Sequence, residues 1–308
     1  MRVGIFGAGG IGGYLGGRLS QAGEEVVVIA RGDHLNAIQK DGLRVDSIKG
    51  DFIAYPQLVT DDPANAGEVD TIILGVKAWQ VEEAAEAMRP MVGPTTVVVP
   101  LQNGVEAPTQ LSDVLGPEHV VIGLCMLRSF IVGPGHLRHT TDVYPNMQLG
   151  EMAGDMDSRV EMLSSIFEKV GLSVTKPDDI HVALWEKFLL FSVASGMGAI
   201  TRSTTGVWRN NTETRQMAET AVSEIVNVAL SQGINLPDDS IPETMRLIDS
   251  WADGHSTSMA KDLMEGRPSE LEAAIGFIVR LGSETGIDTS VNTFIRNCLL
   301  LQELEARA

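Results

Sequence analysis

The feature that most constrains the fold of this chain is a set of three glycines close to its first residue. Gly7, Gly9 and Gly12 form a G-x-G-x-x-G pattern between an apolar run at residues 2–6 and a helical pattern at residues 11–22. In such a strand–turn–helix unit the first glycine permits the tight turn, the second lets a phosphate approach the backbone, and the third allows close packing. The helix N-terminus adds free N–H groups and a positive dipole end. The pattern predicts a dinucleotide site that also includes Gly10, a purely structural turn being the alternative.

Short runs rich in Val, Ile and Leu alternate with helical patterns through the first half of the chain. We predict strands over residues 2–6, 25–30, 70–76, 95–101 and 120–124, and helices over residues 11–22, 80–88 and 107–115. The runs are nearly continuous in apolar residues, as in strands that are buried on both faces of a parallel sheet. This alternation predicts a doubly wound α/β domain. Residues 128–149 are predicted to add further strands around a turn at residues 133–135.

Long helical patterns replace the strand patterns after about residue 177. They cover residues 178–200, 214–232, 258–265, 269–285 and 291–306. We therefore predict two domains: a Rossmann-like α/β domain with a doubly wound parallel sheet over residues 1–175, and an all-helical domain over residues 176–308. A chain of 308 residues is long enough for each domain to bury a core of its own.

The composition excludes several kinds of partner. A net charge of −18 argues against nucleic acid and against an anionic membrane, because both need a positive protein surface. The two cysteines, Cys125 and Cys298, cannot form a disulfide framework and fit a reducing compartment. No signal-peptide pattern is visible, and the uncharged run at residues 188–200 is short for a bilayer span. We expect a cytoplasmic protein.

The end of the second predicted strand indicates which dinucleotide binds. An NAD site usually has an acidic residue there, which holds the ribose 2′-hydroxyl. This chain has Arg31 instead, and a guanidinium matches a 2′-phosphate in bidentate geometry. The position favours NADP (NADPH). A solvated turn arginine is the alternative, and Asp33 nearby leaves NAD use open.

Two more polar residues follow predicted strands. Lys77 comes after the third strand and Asn103 after the fourth. In an open parallel sheet, ligands lie beyond the carboxyl ends of the strands. These side chains could hold a phosphate, a nicotinamide carboxamide or a substrate oxygen. Taken alone, the dipeptide Asn103–Gly104 is more typical of an ordinary turn.

Lys187 is the most informative residue of the helical half. Ile180, Leu184 and Phe191 share its helical stripe. A lysine surrounded by apolar side chains is desolvated, which lowers its pKa and makes it a usable proton donor near neutral pH. Alternatively, its amino group reaches solvent beside Glu186.

Glu270 is the second candidate of the helical half. We predict that Ser269 and Glu272 form an S-x-x-E capping box at the start of a helix. Glu270 is not needed for this box, so it is free for another role. Its simplest role is that of an acid favoured by the helix dipole.

Taken together, these residues resemble the ketopantoate reductase family over nearly the whole chain. The resemblance is carried by the glycine pattern, Arg31, Val-Lys-Ala-Trp-Gln at 76–80, Gln-Asn-Gly at 102–104, Trp-Glu-Lys at 185–187, and Ser258–Met259 followed by Asp262, Arg267 and Glu270. It implies NADPH-dependent reduction of 2-dehydropantoate (ketopantoate) to (R)-pantoate, a step of pantothenate and coenzyme A biosynthesis.

The resemblance also implies a role for each polar residue. Lys187 would donate the proton to the developing alkoxide, while Glu270 would anchor the hydroxyl of the substrate. Ser258 would bind the substrate carboxylate and Asn103 would orient cofactor and substrate. Lys77 would lie near the cofactor phosphates or the substrate.

One departure from the family pattern concerns the substrate. Family enzymes that act on ketopantoate usually have asparagines four and eight residues after the lysine, where this chain has Phe191 and Ser195. A phenylalanine cannot donate the lost hydrogen bond, so Ser195 is the remaining polar group for the substrate at these positions. Since a missing polar partner can change discrimination by orders of magnitude, a more apolar 2-keto acid is the second candidate substrate.

Two other functions stay open at the level of sequence. One is a non-catalytic NADPH-binding sensor on the same fold. The other is a different two-domain dehydrogenase that oxidises a hydroxy acid or an opine, although none of the six histidines lies in a recognisable motif.

The sequence says less about metals and assembly. It contains no cluster with metal-ligand spacing, and hydride transfer to a carbonyl that a lysine protonates needs no metal. The apolar residues of the last helical pattern, at 291–306, could support a homodimer, and core packing explains them equally well.

Overall fold

The computed structural model describes residues 1–141, 146–152 and 157–308. Part of the predicted strand region, residues 142–145, lies outside this description. Contacts along the chain separate two compact units. The first comprises Met1–Gln102 and Glu106–Ile180, and the second comprises Asn103–Val105 and His181–Ala308.

The first unit contains twelve strands and five α-helices within its described residues. The strands are β1 (Arg2–Phe6), β2 (Glu25–Ile29), β3 (Leu43–Ser47), β4 (Phe52–Ala54), β5 (Leu58–Thr60), β6 (Val69–Leu74), β7 (Val92–Pro100), β8 (Val121–Cys125), β9 (Arg128–Gly133), β10 (His136–Thr141), β11 (Met147–Glu151) and β12 (Val174–Thr175). The helices are α1 (Gly10–Gln21), α2 (Gly32–Asp41), α3 (Val81–Met88), α4 (Ala107–Leu115) and α5 (Asp157–Lys169).

A five-stranded parallel sheet forms the centre of this unit, in the order β5-β2-β1-β6-β7. Its two faces carry separate apolar clusters: Val26 and Val28 of β2 face the side of α1, whereas Val27 and Ile29 face the side of α3 and α4. Because both faces are covered, the strands are apolar at successive positions. The predicted doubly wound sheet is confirmed.

The predicted strand at residues 120–124 is observed, but outside this sheet. β8 pairs antiparallel with β11, and its parallel contact is the isolated bridge from Val98 to Val120. The prediction that this strand belongs to the parallel sheet is wrong, because its hydrogen bonds go to β11 in a separate sheet of order β12-β11-β8. A second sheet has the order β4-β3-β10-β9 and carries β9 as an edge strand.

The second unit is helical, as predicted. Its helices are α6 (Ile180–Thr201), α7 (Thr205–Arg209), α8 (Thr212–Ser231), α9 (Ser240–Ser250), α10 (Ser258–Met264), α11 (Phe277–Thr285) and α12 (Ser290–Arg307), with a π-helical turn at Glu272–Gly276 before α11. Among the described residues, α6 is the one helix whose length and composition would allow it to cross a membrane. The share of its most apolar window that is buried inside the protein is 72%, which is typical of a core helix.

Candidate active site

The turn between β1 and α1 is built from glycines for two different steric reasons. Gly7 has φ +100°, a conformation that favours glycine, and its N–H donates to the Ile29 carbonyl at 3.1 Å. A Cβ at Gly12 would overlap the carbonyl oxygen of Gly7. Gly12 therefore allows α1 to start directly against the end of β1.

Gly9 and Gly10 differ from each other in their surroundings. A Cβ at Gly10 would overlap the backbone of Ser129 in β9, so this glycine is required by packing. A Cβ at Gly9 would meet only the Gly75 carbonyl oxygen, at 3.4 Å, which is an ordinary contact. Gly9 is thus the glycine of this turn whose missing side chain leaves open space beside the N-terminus of α1.

The N-terminus of α1 is suited to an anion. Its N-cap is Gly9, and among the described residues no side chain caps the helix. The helix is 12 residues long, and the first N–H groups of a helix carry the positive end of its dipole. The open space at Gly9 and the uncapped helix end together fit the pyrophosphate of a dinucleotide.

His34 holds this glycine turn from the side, which sequence reasoning missed. Its Nδ1 accepts from the Gly135 N–H at 3.0 Å, so its Nε2 carries the proton and donates to the Ala8 carbonyl at 2.9 Å. The bond from Gly135 requires the neutral ring, and burial lowers the pKa of His34 below its ordinary value of 6.5. The two bonds join α2, the β9–β10 turn and the glycine turn.

The carboxyl end of β6 lies against the same turn. A Cβ at Gly75 would be 2.8 Å from the Gly7 carbonyl oxygen, so the ends of β1 and β6 are in close contact. Strand order reverses between these two strands, and open α/β sheets bind ligands at such a point. Lys77 follows β6 with its amino group 5.7 Å from the centre of the Trp79 ring.

Arg31 lies at the carboxyl end of β2, as the sequence predicts. It is the N-cap residue of α2 and its side chain is 66% exposed, with an ion pair to the exposed Glu83 at 3.5 Å. Exposed ion pairs of this kind are weak. The guanidinium is therefore accessible to a phosphate group.

Lys187 lies in the middle of α6, in the second unit. The side chain as a whole is half-buried and its Nζ atom is buried, so the amino group does not reach solvent. Neighbouring Glu186 is exposed, and partial burial together with the carboxylates of Glu243 and Asp239 raises its pKa. The apolar stripe predicts such burial of the amino group, and the role of Lys187 as a proton donor stays a prediction.

The positions four and eight residues after the lysine are occupied by Phe191 and Ser195. Phe191 is half-buried and packs against the core of the helical unit. Ser195 is fully buried, and its hydroxyl has no hydrogen-bond partner among the described residues. These two positions thus carry one large ring and one small hydroxyl.

Asn103 and Glu270 are brought together although 167 residues separate them. The Asn103 Nδ2 donates to Glu270 Oε2 at 3.2 Å. This contact exists because residues 103–105 belong to the second unit, with Val105 packed against its core. Glu270 is 6% exposed, and it directly precedes the N-cap residue of the π-helical turn.

Ser258 is the first residue of α10 and is exposed. Its neighbour Thr257 caps the helix by accepting from the Ala260 N–H at 3.3 Å. The Ser258 hydroxyl is therefore not needed as a cap.

The predicted capping box at Ser269 is wrong. The Ser269 N–H donates to both carboxylate oxygens of Glu303, at 3.1 and 3.0 Å, and Glu272 instead forms an ion pair with Arg296 at 3.0 Å. Glu303 lies 34 residues away on α12, so no local pattern in the sequence could have indicated it.

Two family models match this chain. The model described as ketopantoate reductase PanE/ApbA matches residues 3–154, and the model of the C-terminal part of that family matches residues 179–303. The 2-dehydropantoate 2-reductase of Mesorhizobium japonicum is 31% identical over 304 residues, which cover 92% of this chain and 91% of that protein.

Solved structures agree with these matches. A PanE/ApbA family ketopantoate reductase from Ralstonia eutropha JMP134 has a TM-score of 0.91 and 30% identity, with all of both chains covered. A D-mandelate dehydrogenase in complex with NADH and anilino(oxo)acetate has a TM-score of 0.89 over all of both chains, and at 24% identity it shows the fold alone. The chain therefore belongs to the ketopantoate reductase family of oxidoreductases.

Proposed function

We propose that this protein reduces ketopantoate to (R)-pantoate with NADPH. The observation that carries the proposal is the hydrogen-bonded pair of Asn103 and Glu270 in the same helical unit as the buried amino group of Lys187. A family member with these groups has a proton donor and an anchor for a hydroxylated keto acid.

The chemistry divides between a bound nicotinamide, which supplies hydride to the carbonyl carbon, and side chains of the helical unit. Lys187 donates a proton to the carbonyl oxygen and stabilises the negative charge that develops there. Glu270 accepts a hydrogen bond from the substrate hydroxyl, and the amide of Asn103 keeps this carboxylate in place. The hydroxyl of Ser258 binds the substrate carboxylate, and that of Ser195 is the polar group left for the substrate at the two positions that follow Lys187 by four and eight residues.

NADPH is the proposed form of the cofactor. Gly7, Gly9, Gly10 and Gly12 shape the pyrophosphate site, and Lys77 lies beside it at the end of β6. Arg31 supports the choice of NADPH, because its exposed guanidinium stands where an NAD-dependent protein usually has an acid.

A more apolar 2-oxo acid is the second candidate substrate. The observation that favours it is Phe191, whose ring occupies the position of a polar residue in family enzymes that act on ketopantoate. An aromatic or branched 2-oxo acid would gain from contact with this ring. With either substrate, residues 1–175 bind the cofactor and residues 176–308 bind the substrate. The protein acts in the cytoplasm, in pantothenate biosynthesis, as a monomer or a homodimer.

The assignments to Lys187 and Glu270 are tested by a pair of variants. We expect Lys187→Ala to lower kcat by about 10²–10⁴, the usual range for loss of a general acid, and Glu270→Gln to raise mainly the KM for ketopantoate. Lys176→Ala, an exposed lysine of the first unit, is the control and should leave both constants unchanged. A normal kcat in Lys187→Ala would remove this residue from the mechanism.

A further inference from the structure

The carboxylate of Glu303 is buried in the helical unit, and most of its described hydrogen bonds come from one residue, Ser269. The Glu303 side chain is 2% exposed. It accepts from the N–H of Ser269 through both oxygens and from the hydroxyl of Ser269 through Oε2. Arg307, one turn further along α12, donates to Oε1 at 2.6 Å.

Ser269 is held at each of its polar groups. The Glu303 carboxylate accepts hydrogen bonds from its N–H and its hydroxyl, and the Arg307 guanidinium donates to its carbonyl oxygen at 2.8 Å. The Ser269 hydroxyl oxygen also accepts from the Leu271 N–H at 3.2 Å. The backbone is thereby fixed on both sides of Glu270, the residue between Ser269 and Leu271.

A carboxylate that is buried between packed helices loses the favourable free energy of its hydration. An apolar side chain of similar volume would fill the same space without the desolvation penalty of an ion. The gain from Glu303 is directional, because its bonds specify where the Ser269 backbone lies and which way the next residue points. The Glu270 side chain makes a single described hydrogen bond, from Asn103. The direction of its carboxylate is therefore set largely by the position of its backbone.

We propose that Glu303, supported by Arg307, is a positioning residue that aims the Glu270 carboxylate at the substrate. This positioning role rests on the proposed function, in which Glu270 anchors the hydroxyl of the keto acid. Glu303 acts through Ser269 and does not touch the substrate.

The test compares two matched variants, Glu303→Gln and Glu224→Gln. Glu224 is also a buried carboxylate of this unit, 6% exposed, and it accepts from the N–H groups of Val291 and Asn292 at 2.8 and 2.9 Å. In both variants an amide N–H faces a backbone donor, so both should lower Tm. We expect only Glu303→Gln to raise the KM for ketopantoate, by about tenfold, with the KM for NADPH unchanged.

Binding provides a readout besides activity. The Kd of pantoate, measured by calorimetry in the presence of NADP⁺, should rise by the same factor in Glu303→Gln and stay constant in Glu224→Gln. If Glu303→Gln does not fold, Arg307→Gln serves instead, because its side chain is 34% exposed and it donates to the Glu303 carboxylate and to the Ser269 carbonyl oxygen. We expect a change of the same sign and smaller size.

A double variant shows whether Glu303 acts through Glu270. In a Glu270→Gln background, Glu303→Gln should change the KM for ketopantoate by less than about twofold, since the group that it positions is already altered. An equal effect in both backgrounds, or an unchanged KM beside a lowered Tm, would refute the positioning role alone. An unchanged KM in Glu270→Gln by itself would refute the proposed role of Glu270 and the positioning role with it.

Discussion

Replacing Gly9 by alanine distinguishes the contribution of the glycine turn to protein stability from its contribution to cofactor binding. The backbone at Gly9 has φ −65° and ψ −170°, an extended conformation that alanine adopts without strain. The added Cβ would meet only the Gly75 carbonyl oxygen, at 3.4 Å. Because alanine also restricts the unfolded chain, we expect Gly9→Ala to leave stability unchanged or to raise it by up to about 1 kcal/mol.

The same methyl group would stand in the space where a pyrophosphate approaches the N-terminus of α1. Displacing a charged phosphate from one backbone N–H costs roughly 1.5–3 kcal/mol, which corresponds to an increase in Kd of roughly 10- to 100-fold. The assay is the Kd of NADPH from fluorescence titration, measured beside Tm on the same preparation.

Gly12→Ala is the matched control for this experiment. Its Cβ would overlap the Gly7 carbonyl oxygen and lie 3.3 Å from Ile5 Cγ2, so the turn would have to shift, at a cost of roughly 1–3 kcal/mol in stability. Gly12→Ala should lower Tm, and Gly9→Ala should not. A Gly9→Ala protein that binds NADPH as tightly as the parent would refute the assignment of this turn to the cofactor.

Three further predictions concern specificity and pH. Arg31→Ala should raise the KM for NADPH by about tenfold or more and leave that for NADH nearly unchanged, since only NADPH carries the 2′-phosphate; equal effects on both would contradict the role of Arg31. Burial lowers the pKa of His34, so its contribution to stability is present above 6.5 and is lost as the pH falls through its folded pKa. Urea unfolding of the parent and of His34→Gln should therefore differ most above pH 6.5 and converge below it, and a constant difference would count against the neutral ring. Phe191→Asn should raise kcat/KM for ketopantoate relative to an aromatic 2-oxo acid; a ratio that stays the same in competition assays would exclude Phe191 as a specificity residue.

The fold was predictable where the pattern is long and continuous. β1 and α4 have the predicted bounds, because an apolar run and a clear helical period leave no competing interpretation. The strand β3 was missed because the charged residues Arg44 and Asp46 interrupt its apolar run, and β4 and β5 were missed because each has three residues. The helix α2 was missed as well, because it is largely polar and buries only Leu35 and Ile38.

The candidate site was predictable only in part, for a related reason. The glycine turn and the stripe around Lys187 are local patterns, and a local pattern can be read from neighbouring residues. The contacts of Glu270 with Asn103, of Ser269 with Glu303 and of His34 with Gly135 join residues 167, 34 and 101 positions apart. Such contacts follow from tertiary packing, which a single sequence does not show.

The most direct test of the whole account is the oxidation of NADPH by the purified protein with ketopantoate, beside a panel of branched and aromatic 2-oxo acids. We predict saturable turnover of ketopantoate with a KM in the usual range of roughly micromolar to millimolar. Turnover of a different acid from the panel would keep the chemistry and replace the substrate. Tight binding of NADPH without oxidation by any of these acids would contradict the account and favour a sensor.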